Sequence, residues 1–401
     1  MTCRICYEPT RTVLDFGCVP PANWLKDSKE SEELRYPIVV EKCDACFNLQ
    51  LRDCIPEDRL YGHYLYLTPD SSTLAAHYHF VTEWLFDEGY LKENSFVLEF
   101  GSNVGHFLKF LKPRVGRVLG IDPAANASAI ARTAGIETIC DFFAPQAAEM
   151  VRRRYGAPDL IVGRHCCAHN RDPHVMIGAA ADLLRDGGYF VMENSYAPVM
   201  LENNEFDQIY HEHMFYYSIR SVAKLFEMHD LQIVDIAMTP IQGGSAVFVA
   251  RRGGTGACAK DSVTSYLERE ASQLSDDLLV RFAANVGRIR AEIRPLVEDL
   301  RARGKTVWLY GASAKGVSLV NYTGINDTHI AFCADSTPLK HGKFLPMSGI
   351  EVRPEEEALA ARPDFFLLTA WNYKEEIVAK VRHSGNLLSQ FILAVPFVSI
   401  V

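Results

Sequence analysis

The chain has 401 residues, 48% of them hydrophobic and 23% charged, with a formal net charge of -9. At roughly 100–200 residues per domain this length sets two or three domains, and the composition excludes disordered and fibrous classes. The mild acidity excludes a dedicated nucleic-acid binder, which needs clustered cations to displace counterions from phosphates.

Met1 leads into Thr2-Cys3-Arg4-Ile5-Cys6 rather than a signal sequence, and no apolar run reaches the roughly 18 residues of a membrane span. The expectation is a cytoplasmic protein with no membrane partner, its eleven cysteines serving as thiols or metal ligands rather than disulfides. Two pairs, Cys3-x2-Cys6 and Cys43-x2-Cys46, have the knuckle spacing that points two thiolates at one ion. Together they are expected to close a tetrahedral structural zinc site, a staple for a small domain with little core. Four unrelated buried cysteines is the weaker reading. Cys18, Cys54, Cys140, Cys258 and Cys333 are expected to be packing residues, and Cys166 and Cys167 have no assigned role.

A helix is predicted from Ser72 to about Gly89, and then an α/β pattern begins. Strands are predicted at Ser95–Phe100, Arg117–Ile121, Glu137–Cys140, Leu160–Val162 and Tyr189–Met192, with a helix around Val175–Leu184. Leu231–Ala237 and Ser245–Ala250, joined at Gly243-Gly244, read as a closing hairpin. Such alternation builds a parallel sheet covered on both faces, here with an antiparallel edge. Ser262–Arg303 is predicted helical. Strands at Lys305–Tyr310, His329–Ala334 and Asp364–Leu368 then form a second α/β unit.

The first strand enters Glu99-Phe100-Gly101-Ser102-Asn103-Val104-Gly105, which lacks the full dinucleotide spacing. Asp122 ends the second strand, and Asp141 and Phe142 follow the third. All these positions fall at the carboxyl edge of the sheet, where open α/β folds bind ligands. Asp122 suits two ribose hydroxyls, and Asp141 with Phe142 suits an adenine. A carboxylate, Glu99, beside the glycine loop disfavours pyrophosphate and suits a cofactor bearing an amine. S-adenosylmethionine is therefore favoured over NAD, and the closing hairpin agrees. Glu99, Gly101, Asn103, Gly105, Asp122, Asp141 and Phe142 are the expected cofactor-binding residues.

Two histidine-bearing loops share that sheet edge. Gly163-Arg164-His165-Cys166-Cys167-Ala168-His169 follows the fourth strand, and an insertion after Glu193-Asn194 carries Tyr210-His211-Glu212-His213. A second metal there is the weaker reading, since the spacing does not match a helical zinc motif. Tyr, Glu and two His together suit proton transfer better. Gly311-Ala312-Ser313-Ala314-Lys315-Gly316 makes a strand-to-helix turn, where backbone N–H groups and Lys315 suit a phosphate. Asp335, Lys340 and Lys343 follow as weaker substrate candidates.

With these motifs in this order, nearly the whole chain resembles the sugar C-methyltransferases that act on nucleotide-linked deoxyketosugars. The resemblance rests on both cysteine pairs, Glu99 to Gly105, Ala168-His169, Tyr210-His211-Glu212-His213, Gly243-Gly244-Ser245 and Gly311 to Gly316. It implies an α/β protein in three parts. These are a zinc-binding domain at 1–70, a class I Rossmann-like methyltransferase domain at 71–255 and a Rossmann-like nucleotide-sugar domain at 256–401. It implies His213 as base, assisted by Tyr210 and Glu212, with His169 and Tyr64 also in the active site. It further implies a dTDP-linked ketosugar held by Gly311, Ser313, Lys315, Gly316 and Asp335, a role in deoxysugar and antibiotic biosynthesis, and a monomer. The expected reaction is methylation at the carbon alpha to a ketone through an enolate. Two departures stand out. Gly163 to Cys167 replaces an Asn-rich stretch, and Ser313 to Ser318 lacks the usual Pro and Asn, so the usual sugar is not implied. The alternatives are an O- or N-methyltransferase and a non-catalytic zinc-and-nucleotide binding module.

Overall fold

Three sheets organise the chain, and this computed structural model describes residues 1–61, 66–253 and 259–401. The N-terminal sheet pairs Thr10–Val19, Tyr36–Cys43 and Leu49–Leu51 antiparallel. Its fourth strand, Phe215–Tyr216, arrives from far along the chain and sets Tyr216 opposite Leu49 and Phe215 opposite Gln50. Arg4 stitches this join by donating to the carbonyls of Leu51 (2.8 Å) and Met214 (3.1 Å). None of these four strands is predicted: Thr10–Val19 is mostly exposed, Leu49–Leu51 and Phe215–Tyr216 are very short, and Tyr36–Cys43, though mostly buried, lacks clear alternation of polar and apolar residues.

The helix predicted from Ser72 spans Ser72–Asp87, and its buried stripe is Leu74, His77, Tyr78, Val81, Thr82 and Leu85. A histidine in that stripe needs a buried partner. The middle sheet runs in the order Leu231–Thr239, Ser245–Arg252, Tyr189–Ser195, Leu160–Arg164, Phe96–Phe100, Arg117–Ile121, Thr138–Ile139. Its last five strands are parallel, and the first two form the expected hairpin. The strand predicted over Glu137–Cys140 shrinks to Thr138–Ile139 at the sheet edge. In the hairpin turn Gln242 is left-handed (φ 54°). Beside it, a side chain at Gly243 would collide with the Glu205 carboxylate, 2.4 Å from its Cβ.

The predicted helical arm is two helices, Asp261–Gln273 and Asp276–Ala302. The longer one buries Leu278, Phe282, Val286, Ile289, Ile293 and Val297 along one face. These enter a single core with Val40 and Leu51 of the N-terminal sheet, Met200 and Phe206 of the insertion, and Leu309 and Leu367 of the third sheet. That sheet has six strands in the order Glu351–Pro354, Phe332–Asp335, Val307–Tyr310, Phe365–Leu368, Gln390–Leu393, Ser399–Ile400, all parallel except the last pair.

Two cysteine expectations are corrected. Cys18 and Cys140 are exposed rather than packed in a core, while Cys333 is buried and Cys54 is half-buried beside Arg4. Cys258 lies outside the described residues. No helix among the described residues is long and apolar enough to cross a membrane.

Candidate active site

The sulfurs of Cys3, Cys6, Cys43 and Cys46 lie within 4.8 Å of one another, with Cys3–Cys46 at 3.7 Å and Cys6–Cys43 at 3.4 Å. Four sulfurs about 2.3 Å from a tetrahedral zinc sit roughly 3.8 Å apart, so this donor set fits that ion. The Ile5 N–H (3.4 Å) and Asn48 Nδ2 (3.8 Å) approach the Cys3 sulfur as second-shell donors to a thiolate. This is the one such cluster among the described residues. His211 and Glu212 do not join a second one. His211 Nε2 donates to the Tyr36 carbonyl (3.2 Å), and Glu212 accepts from Asn23 Nδ2 (2.9 Å).

At the edge of the middle sheet a cavity of about 190 Å³ is lined by Gly101, Ser102, Asn103, Asp122, Phe142 and Phe143, among others. Gly101 is left-handed (φ 63°), and a Cβ there would lie 2.6 Å from that of Cys166, so only glycine keeps the loop this close. Asp122 accepts the N–H groups of Asn103 (2.8 Å) and Ala124 (2.9 Å), leaving lone pairs on both oxygens for hydroxyls. Burial raises its pKa. This cradle fits S-adenosylmethionine. Three expected residues stand apart from it. Gly105 does not line the cavity and instead precedes the helix His106–Leu111 in a left-handed conformation (φ 78°). Asp141 is exposed and accepts the Phe142 N–H at 2.8 Å. Glu99 is buried in an ion pair with Arg164 Nε at 2.9 Å rather than lining the cavity. Burial pushes Glu99 up to about 7, against the pull of Arg164.

A second cavity of about 300 Å³ brings together Tyr210, His213, His169, Gly311, Ser313, Lys315 and Asp335. The tight turn carrying Tyr210 and His213 is closed by the His213 N–H on the Tyr210 carbonyl (2.9 Å). His213 Nδ1 lies 2.8 Å from the Gln208 carbonyl, which can only accept, so this nitrogen carries the hydrogen. The lone pair is therefore on Nε2, where the Tyr210 hydroxyl donates at 2.7 Å. Burial holds His213 well below its ordinary pKa, with neighbouring His169 adding to the effect. His169 stacks on His213 with ring centres 5.2 Å apart, and burial pushes it down to about 4. Both imidazoles are thus kept neutral. Tyr64 lies outside the described residues.

In the C-terminal loop the amides of Gly311, Ala312 and Gly316 are already bonded, to Ala334, Asp335 and Ser313 respectively. Gly316 does not line the cavity. Lys315 does, with its Nζ buried, unpartnered among the described residues, and 4.7 Å from the centre of the Trp371 ring. Burial lowers its pKa, against the pull of Asp207 and Glu205. Burial in turn pushes Asp207 up to about 6 and Glu205 up to about 7. Trp371 Nε1 donates to Asp207 at 2.6 Å.

The two cavities share Tyr66, His165, His169 and Gln242, which mark where they meet. Behind that junction is a group that sequence reading leaves out. Glu193, fully buried, lies 2.7 Å from His77 Nε2, 3.7 Å from His165 Nε2 and 3.9 Å from Arg164 Nη1. The polar intrusion of His77 into an apolar helix stripe is the signal that could have found it.

Family models match the chain in three pieces: a zinc binding domain at residues 3–61, a methyltransferase domain at 63–236 and a C-methyltransferase C-terminal domain at 240–396. The chain is 36% identical over 399 residues to C-methyltransferase NovU of Streptomyces niveus, covering 98% of this chain and 95% of that protein. The uncharacterized methyltransferase YcgJ of Bacillus subtilis is 24% identical over 200 residues, 47% of this chain and 77% of that protein. Among solved structures, magnesium protoporphyrin IX methyltransferase of Synechocystis PCC 6803 with bound SAM matches with a TM-score of 0.35 and 15% identity. It covers 47% of this chain and 88% of that one.

Proposed function

The chain belongs to the family of S-adenosylmethionine-dependent C-methyltransferases, and from that premise we propose that it methylates the carbon beside a ketone of a nucleotide-linked deoxyketosugar through an enolate. The observation that carries this reading is the Tyr210–His213 pair, a neutral imidazole and a phenol on the wall of one cavity with Lys315. A ketone acidifies the neighbouring C–H enough for a positioned imidazole to remove its proton. As the Tyr210 hydroxyl turns its one hydrogen from His213 Nε2 to the ketone oxygen, the freed Nε2 lone pair takes that proton, and Tyr210 with His169 stabilises the oxygen that becomes negative. Glu212 assists from behind, fixing the loop through Asn23. The cofactor, when bound, supplies an electrophilic methyl group. Gly101, Asn103 and Asp122 would hold it in the smaller cavity, which joins the larger one at His165 and His169.

Lys315 holds the diphosphate of the substrate. Lys315→Met is expected to raise the KM for the sugar nucleotide by roughly 10- to 100-fold, the worth of one charged hydrogen bond, while cofactor affinity measured by calorimetry stays put. An unchanged KM would remove the lysine from the binding site.

The reaction type is tested by incubating candidate nucleotide ketosugars in D2O with enzyme and no S-adenosylmethionine. Deuterium should enter at the carbon alpha to the ketone, detected by loss of its proton NMR signal. If no exchange occurs, and a parallel incubation with S-adenosylmethionine places the methyl group on oxygen or nitrogen, the enolate reading is wrong.

A further inference from the structure

We infer that the His165–Glu193 couple, backed by His77, takes the reaction's proton off His213 and carries it out of the active site. This rests on the enolate reading. In that reaction the substrate C–H bond breaks, its electron pair enters the enolate, and an N–H bond forms at His213 Nε2. The enolate carbon then bonds to the methyl group as the C–S bond breaks, its electron pair staying on sulfur. One proton per turnover is left on His213.

That imidazole is a poor place to leave it. His213 is buried, and stacked His169 is held neutral in the same way. His165 differs, because it lines both cavities while its Nε2 lies 3.7 Å from a carboxylate. It shares the wall of the larger cavity with His169 and His213.

The surroundings of Glu193 supply the capacity. Helix Ser72–Asp87 contributes His77 and the Tyr78 ring, the strand Phe96–Phe100 contributes Glu99, the end of the strand Leu160–Arg164 contributes Arg164, and the loop after it contributes His165. Asp122 adds its charge near Glu99. Arg164 is taken up mainly by Glu99 and lies over the rings of Tyr78 and Phe107. Two carboxyl groups therefore face one guanidinium, and the imidazoles of His77 and His165 lie against the second of them, Glu193. Burial alone would raise Glu193, but His165 and His77 more than offset it and hold the carboxyl well below its ordinary range. The backbone is committed to this placement, since His165 is left-handed (φ 52°) without being glycine. This histidine also stands in the stretch that departs from the Asn-rich pattern of the resemblance.

The test uses a nucleotide ketosugar carrying tritium at the acidic carbon, with S-adenosylhomocysteine filling the cofactor cavity so that water cannot bypass the couple. Release of tritium to solvent is measured for the wild type, His165→Asn and Glu193→Gln. Asparagine tolerates the left-handed backbone, and glutamine keeps the shape of the buried acid. Both variants should release tritium about 10-fold more slowly or worse, because the label returns to carbon, while in Glu193→Gln, whose side chain does not line the cofactor cavity, S-adenosylhomocysteine affinity stays within about twofold. Imidazole buffer at high concentration should restore release in His165→Asn, which a distorted site would not show. If Glu193→Gln fails to fold, His165→Asn carries the test. Wild-type release rates in His165→Asn would overturn the inference. No release from the wild type would overturn the enolate reading, and the inference with it.

Discussion

His213→Ala should lower kcat by about three orders of magnitude or more and leave S-adenosylmethionine binding within twofold. The reason lies in two hydrogen bonds. The Gln208 carbonyl fixes the proton on Nδ1, and Tyr210 marks Nε2 as the nitrogen with the lone pair. Alanine removes the only atom in the turn placed to accept a proton there. His213→Asn should be as inactive, because its amide can replace the donor to Gln208 but offers no basic nitrogen. Tyr210→Phe should cost less, about 10- to 100-fold, since it removes a donor and spares the base. Single-turnover methylation, with cofactor affinity by calorimetry, checks all three. A near-wild-type rate in the alanine variant would move the base elsewhere, and His169 would be the next residue to replace.

The second large effect is expected from the cysteine cluster. A zinc site of this kind contributes roughly 10–16 kcal/mol of apparent binding free energy, as much as the whole stability of an ordinary domain. Cys43→Ser, or prolonged treatment with a strong chelator, should lower Tm by about 10 °C or more, or leave the chain insoluble. The loss should not stop at the N-terminal sheet. Cys3, Cys43 and Cys46 share a core with Cys167, Ala168 and Phe215, residues that flank His169 and His213. Turnover should therefore fall together with zinc content, measured by metal analysis across a chelator series. Full activity in metal-free protein would reduce the cluster to four thiols.

The legible part of the fold was what regular patterns encode. Buried parallel strands such as Leu160–Arg164 appear as short apolar runs, and helix Ser72–Asp87 by its spacing. The four cysteines were visible because metal geometry dictates the spacing within each pair. Tyr210 and His213 stood out as chemistry concentrated in one loop. The illegible part depended on contacts between distant segments. Glu99 looked like a cofactor ligand because its position in the loop says nothing of Arg164, 65 residues later, which occupies it. His77 and Glu193 come from a helix and a strand more than a hundred positions apart. The strand at Phe215–Tyr216 is two residues long, and only a partner edge defines it.

That two-residue strand makes the first and middle parts of the chain inseparable. A shortened chain beginning at residue 71 would keep every strand of the seven-stranded sheet and every glycine of the cofactor loop. It would nevertheless strip Phe215 and Tyr216 of their ladder partners Leu49 and Gln50 and uncover the face that the N-terminal sheet packs against. Exchanging the N-terminal segment between relatives faces the same constraint in another form. A slip of one residue in this pairing displaces the strand by about 3.4 Å and turns Phe215 and Tyr216 to opposite faces. Since His213 stands two residues before that strand, the register of one short β-ladder sets where the proposed base sits in its cavity.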